Sequence, residues 1–284
     1  MTNLLKAISN LVENSNYDLT ELYQGSNRIN NIGESLEFFI KDIFCNSLKL
    51  DIIEKKELYS KNFSYLGNKN NPPDFIIKNG DAIEIKKIEN YSTAIALNSS
   101  YPKNKLYQDD PRITINCKKC ELVNWLEKDI IYVIGVVESK SNKIKILWFI
   151  YGNCYAANKE VYQRIIDKIS CGIEEISDIE FIKTNEIAKV KKVDPLGITD
   201  LRVRGMWHIK NPINVFNDVI KIDLKKNFTM NAIMLDNKYK SFDINDRNYI
   251  ENLKNEDFLI KNITIQSPDN PANLLNAKLI SYAK

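Results

Sequence analysis

The 284-residue chain is 44% hydrophobic, 10% aromatic and 27% charged, a composition that fits a folded globular protein and excludes a disordered one. It has no apolar run of about 18 residues and no basic, apolar N-terminal signal, so we expect neither a membrane span nor secretion. The net charge of +3 permits a nucleic acid as partner, and five cysteines, an odd number, are typical of reduced thiols in a cytoplasm.

Apolar spacing predicts two helices early in the chain. The first covers residues 1–14, and the second begins near Ile32. The second helix carries an apolar stripe made of Leu36, Phe39, Ile40, Ile43 and Phe44. Short strands are predicted around residues 50–57. The dipeptide Asn79-Gly80, flanked by alternating apolar residues, then predicts a β-hairpin.

The second half of the chain alternates between helical and strand patterns. We predict a helix over 118–127, strands over 130–137 and 144–151, and a helix near 158–170. Beyond about residue 195 the pattern changes to short strands and polar turns. The expected fold class is α/β, with a mixed sheet flanked by helices and the 74–86 hairpin at its centre. We divide the chain into a core, 1–194, and a C-terminal part, 195–284, that is integrated with it.

The hairpin has one apolar and one charged face. Ile83 and Ile85 alternate with Glu84 and Lys86. A three-residue turn, Asn79-Gly80-Asp81, would place Asp74 opposite Lys86 and on the same face as Glu84, whereas a two-residue turn would point it into the apolar face. The apolar pattern favours the three-residue turn, which puts two carboxylates and one ammonium in one place.

This set of groups suits phosphodiester hydrolysis. Two carboxylates and a backbone carbonyl, here that of Ile85, form a usual anchor for Mg²⁺. A metal ion polarises the phosphate and acidifies a bound water, while a lysine orients that water, deprotonates it, or offsets negative charge. The alternative is an exposed strand face on which Glu84 and Lys86 form an ion pair without catalytic role.

Four blocks of the sequence stand out: NPPDFIIKNGDAIEIKKIE, ALNSSYPKNKLYQDDPRIT, KDIIYVIGVV with LWFIYGNCYAA, and KKVDPLGITDLRVRGMW. In this order they resemble successive blocks of the NgoPII family of type II restriction endonucleases. The resemblance covers roughly residues 30–215.

The resemblance implies a PD-(D/E)XK restriction-endonuclease-like core, Mg²⁺ as cofactor and the palindrome GGCC as target. Pro73-Asp74 matches the PD motif and Glu84-Ile85-Lys86 the ExK motif. Asp74 and Glu84 would then be metal ligands and Lys86 the catalytic lysine. The resemblance does not extend to the last 70 or so residues, so the role of 215–284 stays open.

Glu37 is a further candidate for the metal site. In similar nucleases a helix before the hairpin contributes an acidic residue to the metal. The alternative is an ordinary i, i+4 pair with Lys41.

Two segments are candidates for DNA binding. The irregular loop after the hairpin has hydroxyls, amides and lysines suited to phosphate contacts. Residues 181–210 carry seven Lys or Arg against three acids. Within them Arg202 and Arg204 alternate like a strand and are candidate readers of guanine, with a solvated basic face as the alternative. His208 is interpreted as a DNA contact or a structural residue. The remaining candidates, all in the loop, are Asn98, Ser99, Ser100, Tyr101, Lys103, Lys105 and Arg112.

These observations predict a cytoplasmic, Mg²⁺-dependent endonuclease that cuts double-stranded DNA at a palindrome, with 195–284 expected to contribute to recognition. A palindrome implies a two-fold symmetric reader, hence a homodimer. A DNA methyltransferase acting on the same site would be its functional, not physical, partner. The alternatives are a PD-(D/E)XK nuclease of repair or junction resolution, and a non-cleaving DNA-binding protein of the same fold.

Overall fold

Helices and strands alternate along the chain in a computed structural model that describes residues 1–14, 16–23, 32–68, 70–176, 180–182 and 187–284. The helices are α1 Leu4–Glu13, α2 Leu19–Tyr23, α3 Ile32–Cys45, α4 Ile52–Asn62, α5 Ile115–Lys118, α6 Lys159–Glu174, α7 Pro212–Val215, α8 Asp236–Ser241 and α9 Ile244–Glu251. The strands are β1 Phe63–Asn68, β2 Asn71–Ile77, β3 Ala82–Ile88, β4 Ile95–Asn98, β5 Lys105–Tyr107, β6 Glu127–Val137, β7 Ile144–Tyr151, β8 Glu180–Ile182, β9 Ala188–Lys191, β10 Leu201–Val203, β11 Trp207–Ile209, β12 Thr229–Leu235, β13 Phe258–Gln266 and β14 Leu274–Ala283.

One large sheet organises the described part of the protein. Its strand order is β1-β2-β3-β6-β7-β12-β14-β13, and β5 pairs with β6. The pairs β3–β6 and β7–β12 are parallel and the others are antiparallel. This mixed sheet with its helices confirms the predicted α/β class. The hairpin is not central as predicted, because β12, β14 and β13 extend the sheet beyond β7 and leave β6 and β7 in the middle.

The apolar stripe of α3 packs on the sheet as predicted. Its five members are 0–2% exposed. The ring of Phe44 lies edge-on to that of Phe75 at 5.8 Å. Leu36 packs so closely over β6 that a Cβ on Gly135 would come within 2.7 Å of it. The helix is therefore held against β2 of the hairpin and against β6, the strand beside β3. The predictions of α1, β6, β7 and α6 are also confirmed.

Two predicted elements are wrong. Residues 50–57 were expected as strands but belong mainly to α4, which starts at a capping box formed by Asp51 and Glu54. The helix predicted over 118–127 is absent: the single turn α5 ends at Lys118, residues 119–126 are turns and irregular backbone, and β6 begins at Glu127. In both segments local apolar content was a weaker determinant than capping and tertiary packing.

The C-terminal strands join the same sheet, and α8 reaches back to the hairpin. The ammonium of Lys238 donates to Asp81 at 2.6 Å and to Asp129 at 2.7 Å, and the Tyr151 hydroxyl donates to Asp81 at 2.6 Å. Burial raises the pKa of Asp81, which the Lys238 charge partly offsets. The start of β3 is thus held by a residue far along the chain. None of the described helices is long and apolar enough to cross a membrane.

Candidate active site

The β2–β3 hairpin brings Asp74, Glu84 and Lys86 to one cleft. In the observed register Phe75 lies opposite Ile83 and Ile76 opposite Ala82, so Asp74 is level with Glu84. Glu84 and Lys86 are two residues apart on β3, so their side chains lie on the same face of the sheet. Asp74, the cross-strand neighbour of Glu84, lies on that face too.

The turn of the hairpin differs by one residue from the predicted turn. It consists of Lys78-Asn79-Gly80, because the Ile77 amide already donates to the carbonyl of Asp81 at 3.0 Å. Asn79 adopts the left-handed conformation with φ 54°. The three-residue length was right, but Asp81 is not in the turn and Asp74 does not lie opposite Lys86. The shift of pairing by two positions keeps Asp74 on the same face, so the trio still converges.

Asp74 is held by the backbone of the opposite strand. Its Oδ2 accepts a hydrogen bond from the Ile85 amide at 2.5 Å. Burial, followed by the negative charge of Glu84, raises its pKa to about 7. The N–H and C=O of one strand residue point to the same edge, so the Ile85 carbonyl also faces Asp74. Two carboxylates and a carbonyl oxygen therefore face one another.

Glu84 and Lys86 form an ion pair inside this cleft. The Lys86 Nζ lies 2.7 Å from Glu84 Oε1, and the side chains of Lys86 and Glu84 are 23% and 14% exposed. Burial acts to lower the pKa of Lys86, but the adjacent Glu84 carboxylate outweighs it, and the net pKa is raised. Lys86 is therefore an ammonium. The alternative interpretation assumed an exposed strand face with an ion pair. The ion pair does form, but the two side chains are largely buried.

The donor set fits a hard divalent cation. Within the described residues the buried Oε2 of Glu84 has no hydrogen-bond partner. It lies in the same cleft as a carboxylate whose ionisation is unfavourable. A cation between them would relieve both. Mg²⁺ prefers oxygen ligands and keeps several waters, so two carboxylates suffice. In the described ranges no third acidic, Cys or His side chain joins them in a metal-binding cluster.

Two polar walls enclose the cleft, which has a volume of about 280 Å³. One wall is the β1–β2 turn, and the other is the loop that follows β4. Arg112 closes one side, where its carbonyl accepts from the Asn71 amide group at 2.8 Å. The predicted residues in the walls are Asn98, Ser99, Ser100 and Arg112.

The sequence analysis missed the turn wall of the cleft. It consists of Asn68, Asn70, Asn71 and Pro72. The signal was present: a run of asparagines directly before Pro73-Asp74 predicts a polar turn where β2 begins.

The other loop candidates do not line the cleft. Lys103 is 5% exposed, and its ammonium pairs with Asp110. Burial lowers its pKa, and Asp110 partly offsets this. Lys105 lies on β5, where it pairs with Glu127. The Tyr101 ring stacks on Tyr162 at 5.3 Å. These three side chains hold the loop in place rather than present it to a ligand.

Arg202, Arg204 and His208 are not among the residues that line the cleft, and they lie on or next to short strands outside the main sheet. Arg202 is on β10, which pairs with β9, and Arg204 follows it. The strand β11 places His208 opposite Ala96 of β4. All three side chains are exposed. Of the basic segment 181–210, Lys183 and Glu186 lie outside the described residues.

Glu37 forms the alternative pair that the sequence allowed. The Lys41 Nζ lies 2.5 Å from Glu37 Oε1. The charge of Glu37 is still close enough to contribute to the raised pKa of Asp74. It lies behind the cleft rather than in its lining.

Comparison with known proteins shows the family of the chain. The sequence profile of the NgoPII restriction endonuclease family matches residues 2–266. The chain is 45% identical over 280 residues to the type II restriction enzyme NgoPII of Neisseria gonorrhoeae, and the alignment covers 99% of each chain. No solved structure matches it. The protein belongs to the NgoPII restriction endonuclease family and is an enzyme that cleaves DNA.

Proposed function

We propose that the protein cleaves double-stranded DNA at the palindrome GGCC by Mg²⁺-dependent phosphodiester hydrolysis, with a PD-(D/E)XK site formed by Asp74, Glu84 and Lys86. The observation that carries this proposal is the pair of buried carboxylates in one cleft, one with a pKa of about 7 and the other with an unpartnered oxygen. The family resemblance supports the target sequence.

Asp74, Glu84 and the Ile85 carbonyl would hold the metal. When bound, Mg²⁺ supplies charge that polarises a phosphate oxygen and acidifies a coordinated water. The chain's own contribution is positional: the Ile85 amide holds the Asp74 carboxylate, and β3 holds Glu84 beside Lys86. Lys86, as an ammonium, orients the attacking water and offsets negative charge on the phosphate rather than removing a proton.

Recognition of a G·C-only target requires groups that read guanine. Arginine donates two hydrogen bonds to guanine O6 and N7 in the major groove. Arg202 and Arg204 are exposed on the β10 segment, whose continuation β11 pairs with the strand leading into the cleft wall. We assign the reading of guanine to these two arginines. Contacts to the phosphates near the cleft are assigned to the wall residues Asn98, Ser99, Ser100 and Arg112.

A palindromic target suits a homodimer, and α6 offers a surface for it. Lys159, Glu160 and Arg164 give its N-terminal half a net charge of +1, and acidic Glu174 ends it with Glu175 next in sequence. Two antiparallel copies would pair these ends. Its exposed apolar stripe, 41–43% exposed, consists of Val161, Ile165 and Ile169.

The dimer proposal predicts a change of mass in solution. Placing charges at the apolar stripe, as in Ile165→Glu with Ile169→Glu, should convert a dimer to a monomer in analytical ultracentrifugation. Ile53→Glu, at a 68% exposed position on α4, is the matched control and should leave the dimer intact. A wild-type monomer, or a double variant that still dimerises, would reject the α6 interface.

A restriction enzyme that acts on cellular DNA operates in the cytoplasm beside a methyltransferase that protects the same palindrome. Both are part of the proposal and follow from the restriction role. A host strain that expresses this chain without such a methyltransferase should lose viability, and co-expression of a GGCC methyltransferase should restore it.

The test of cleavage is plasmid digestion with Mg²⁺, followed by sequencing of the product ends. Discrete fragments cut at GGCC are expected. Lys86→Ala should cut about 10²- to 10³-fold more slowly, the usual loss when a charge-stabilising group is removed. Lys87→Ala, whose ammonium pairs with Glu89, is the control and should cut normally. Smeared products would favour a shape-selective repair nuclease, and intact plasmid a non-cleaving binding protein.

A further inference from the structure

Residues 187–206 form a β-hairpin arm outside the main sheet, and β8 pairs with its strand β9 to complete a three-stranded sheet. Its strands β9 and β10 pair antiparallel, with Ala188 opposite Val203 and Val190 opposite Leu201. The Ile187 amide closes the base of the arm by donating to the Val203 carbonyl at 3.2 Å. We call these residues the hairpin arm.

The hairpin arm carries five basic and two acidic side chains, a net +3 that equals the net charge of the whole chain. Its acidic groups are engaged locally. Asp200 pairs with Lys189 at 2.7 Å, and Asp194 accepts hydrogen bonds from the backbone of the tip. Glu180 of the neighbouring β8 pairs with Lys192 at 3.0 Å and lowers the net charge of residues 180–182 and 187–206 together to +2, which still suits a polyanion.

The tip of the arm is a locked turn. The Gly197 amide donates to the Asp194 carbonyl at 2.8 Å, and the Asp194 carboxylate accepts from the amides of Leu196 at 3.0 Å and Thr199 at 2.7 Å. Gly197 adopts φ +68°, a conformation that glycine takes without strain. Pro195 restricts the backbone at the second position. The tip therefore holds one conformation without packing on the core.

This locked turn displays large apolar side chains. Leu196 is 82% exposed and Ile198 is 80% exposed. A polar turn would avoid this exposure, and exposed apolar groups on an ordered element indicate a surface that becomes covered. The occupant must be negatively charged, because the flanking strands are basic. A second copy of the arm carries the same positive charge and would be repelled.

The base of the arm lies at the cleft. Trp207, which follows the arm, pairs with Asn98 of the cleft wall. Nine residues separate Ile198 from Trp207, and a strand rises about 3.3 Å per residue, so the tip lies within about 30 Å of the wall. DNA bound in the cleft is within reach of the tip.

We propose that Leu196 and Ile198 are a DNA wedge: they insert between base pairs at or beside the target site while the basic strands of the arm hold the phosphates. This inference rests on the proposed DNA cleavage and adds a deformation step to it. Apolar wedges kink DNA at a cost of a few kcal/mol per unstacked step, and added protein–DNA contacts offset that cost. Selection of steps that unstack readily would add specificity without base contacts.

The test measures base unstacking directly. The target is taken from the sequenced ends of plasmid digests, so the wedge is tested whatever that sequence is. If cutting is unspecific, an arbitrary duplex is used. 2-Aminopurine, an adenine analogue that pairs with thymine, replaces one adenine at a time beside the target, and pyrrolo-cytosine replaces one cytosine at a time within it, so every analogue keeps its base pair. Fluorescence is recorded with full-length protein and Ca²⁺ in place of Mg²⁺. With a specific target, the wild-type protein should raise the fluorescence at one base step. With an arbitrary duplex, it should raise the fluorescence at every position.

The variant Leu196→Ser with Ile198→Ser should lose this rise, while its Kd for DNA by anisotropy stays within about tenfold of wild type because the basic strands remain. Leu196→Met should keep the rise. Leu122→Ser with Val123→Ser alters apolar residues that are 100% and 76% exposed outside the arm, and it should also keep the rise. An unchanged melting temperature verifies folding of each variant.

Three results would overturn the wedge. The first is a wild type that raises fluorescence at no position. The second is a double variant with the full rise. The third is a double variant that changes the sedimentation of the DNA-free protein, which would show that the tip packs on a second copy. Failure of the GGCC assignment would leave these readouts unchanged and would be seen only in the sequenced ends.

Discussion

The catalytic hairpin and the hairpin arm are both antiparallel pairs of strands, yet they hold their functional side chains in opposite ways. In the catalytic hairpin Asp74, Glu84 and Lys86 are largely buried and are fixed by neighbouring strands. In the arm, Arg202 and Leu196 are exposed, and the tip is fixed by its own turn.

The difference follows from what each region does in the proposed reaction. Burial of two like charges lowers the stability of the metal-free protein, but it favours binding of a cation between them and excludes bulk water from the phosphate. Contacts to bases need side chains that reach outward from a stiff support. The unfavourable burial of like charges is therefore confined to the main sheet, and the side chains proposed to contact bases lie on the arm.

Removing one buried charge should have the largest effect on the cleavage rate, and it should also remove the repulsion between the two carboxylates of the catalytic hairpin. Asp74→Asn should slow cleavage by about 10³-fold or more, because a metal ligand is lost. The metal-free variant should nevertheless be at least as stable as wild type. Plasmid digestion and thermal unfolding in EDTA measure the two effects.

The pH dependence of this stability gives a sharper form of the same prediction. The folded pKa of Asp74 is about 7 against the ordinary value of 3.8 for an aspartate, so the folded state binds the proton more tightly. Wild-type stability without metal should therefore fall as pH rises from about 4 to about 7, by at most about 4 kcal/mol. The side chain introduced by Asp74→Asn cannot ionise, so the variant should lack this loss. Equal pH profiles for the two proteins would contradict the buried pair.

Moving the backbone under Asp74 should have the next largest effect. At Gly67 a Cβ would lie 2.2 Å from the Pro73 carbonyl oxygen and 2.9 Å from that of Asp74. Gly67→Ala must shift β2, and displacement of about 1 Å in a catalytic group slows reactions by up to about 10²-fold. Both cleavage rate and melting temperature should fall.

Gly172→Ala is the matched control for Gly67→Ala. Position 172 lies in α6 with nothing within 4 Å of the added Cβ, so the change should stabilise the protein by about 0.5–1 kcal/mol and leave cleavage unchanged. Normal cleavage by Gly67→Ala would show that β2 tolerates displacement.

Changes on the arm should have the smallest effect on the catalytic step and should alter discrimination instead. Arg202→Ala or Arg204→Ala should lose about 1–3 kcal/mol of discrimination between GGCC and single-base variants of it. Lys191→Ala, on the paired strand, should weaken cleavage of all sites alike. Competition digests of matched and altered duplexes measure the ratio. Unaltered discrimination in both arginine variants would remove the arm from recognition.

Local patterns predicted those elements whose partners are close in sequence. The stripe of α3 and the alternation of Ile83 to Lys86 carry their own period, so helix, strand and face followed from the residues. The hairpin register was off because the length of a turn does not determine which residues occupy it. Lys238 and Tyr151 hold Asp81 out of the turn, and both are far from it in sequence.

Elements that depend on capping or distant contacts were harder to predict. Asp51 and Glu54 form a capping box that the apolar content of 50–57 obscured. The cleft wall at Asn68 and Asn71 requires the β1–β2 turn to face a loop some 30–40 residues later, which no local period encodes. Lys103 looked like a phosphate ligand because its partner Asp110 is visible only in three dimensions.

The long-range closure of the sheet has a consequence for biosynthesis. Asp81 and its counter-ion Lys238 are 157 residues apart, and β7 lacks its outer neighbour until β12 has been made. Chains emerge from the ribosome N-terminus first at about 5–20 residues per second, so the catalytic hairpin is synthesised several seconds before the residues that hold it. Until the C-terminal part has been made, the nascent chain has its catalytic residues but lacks both the ammonium that pairs with Asp81 and the strand that covers the outer edge of β7.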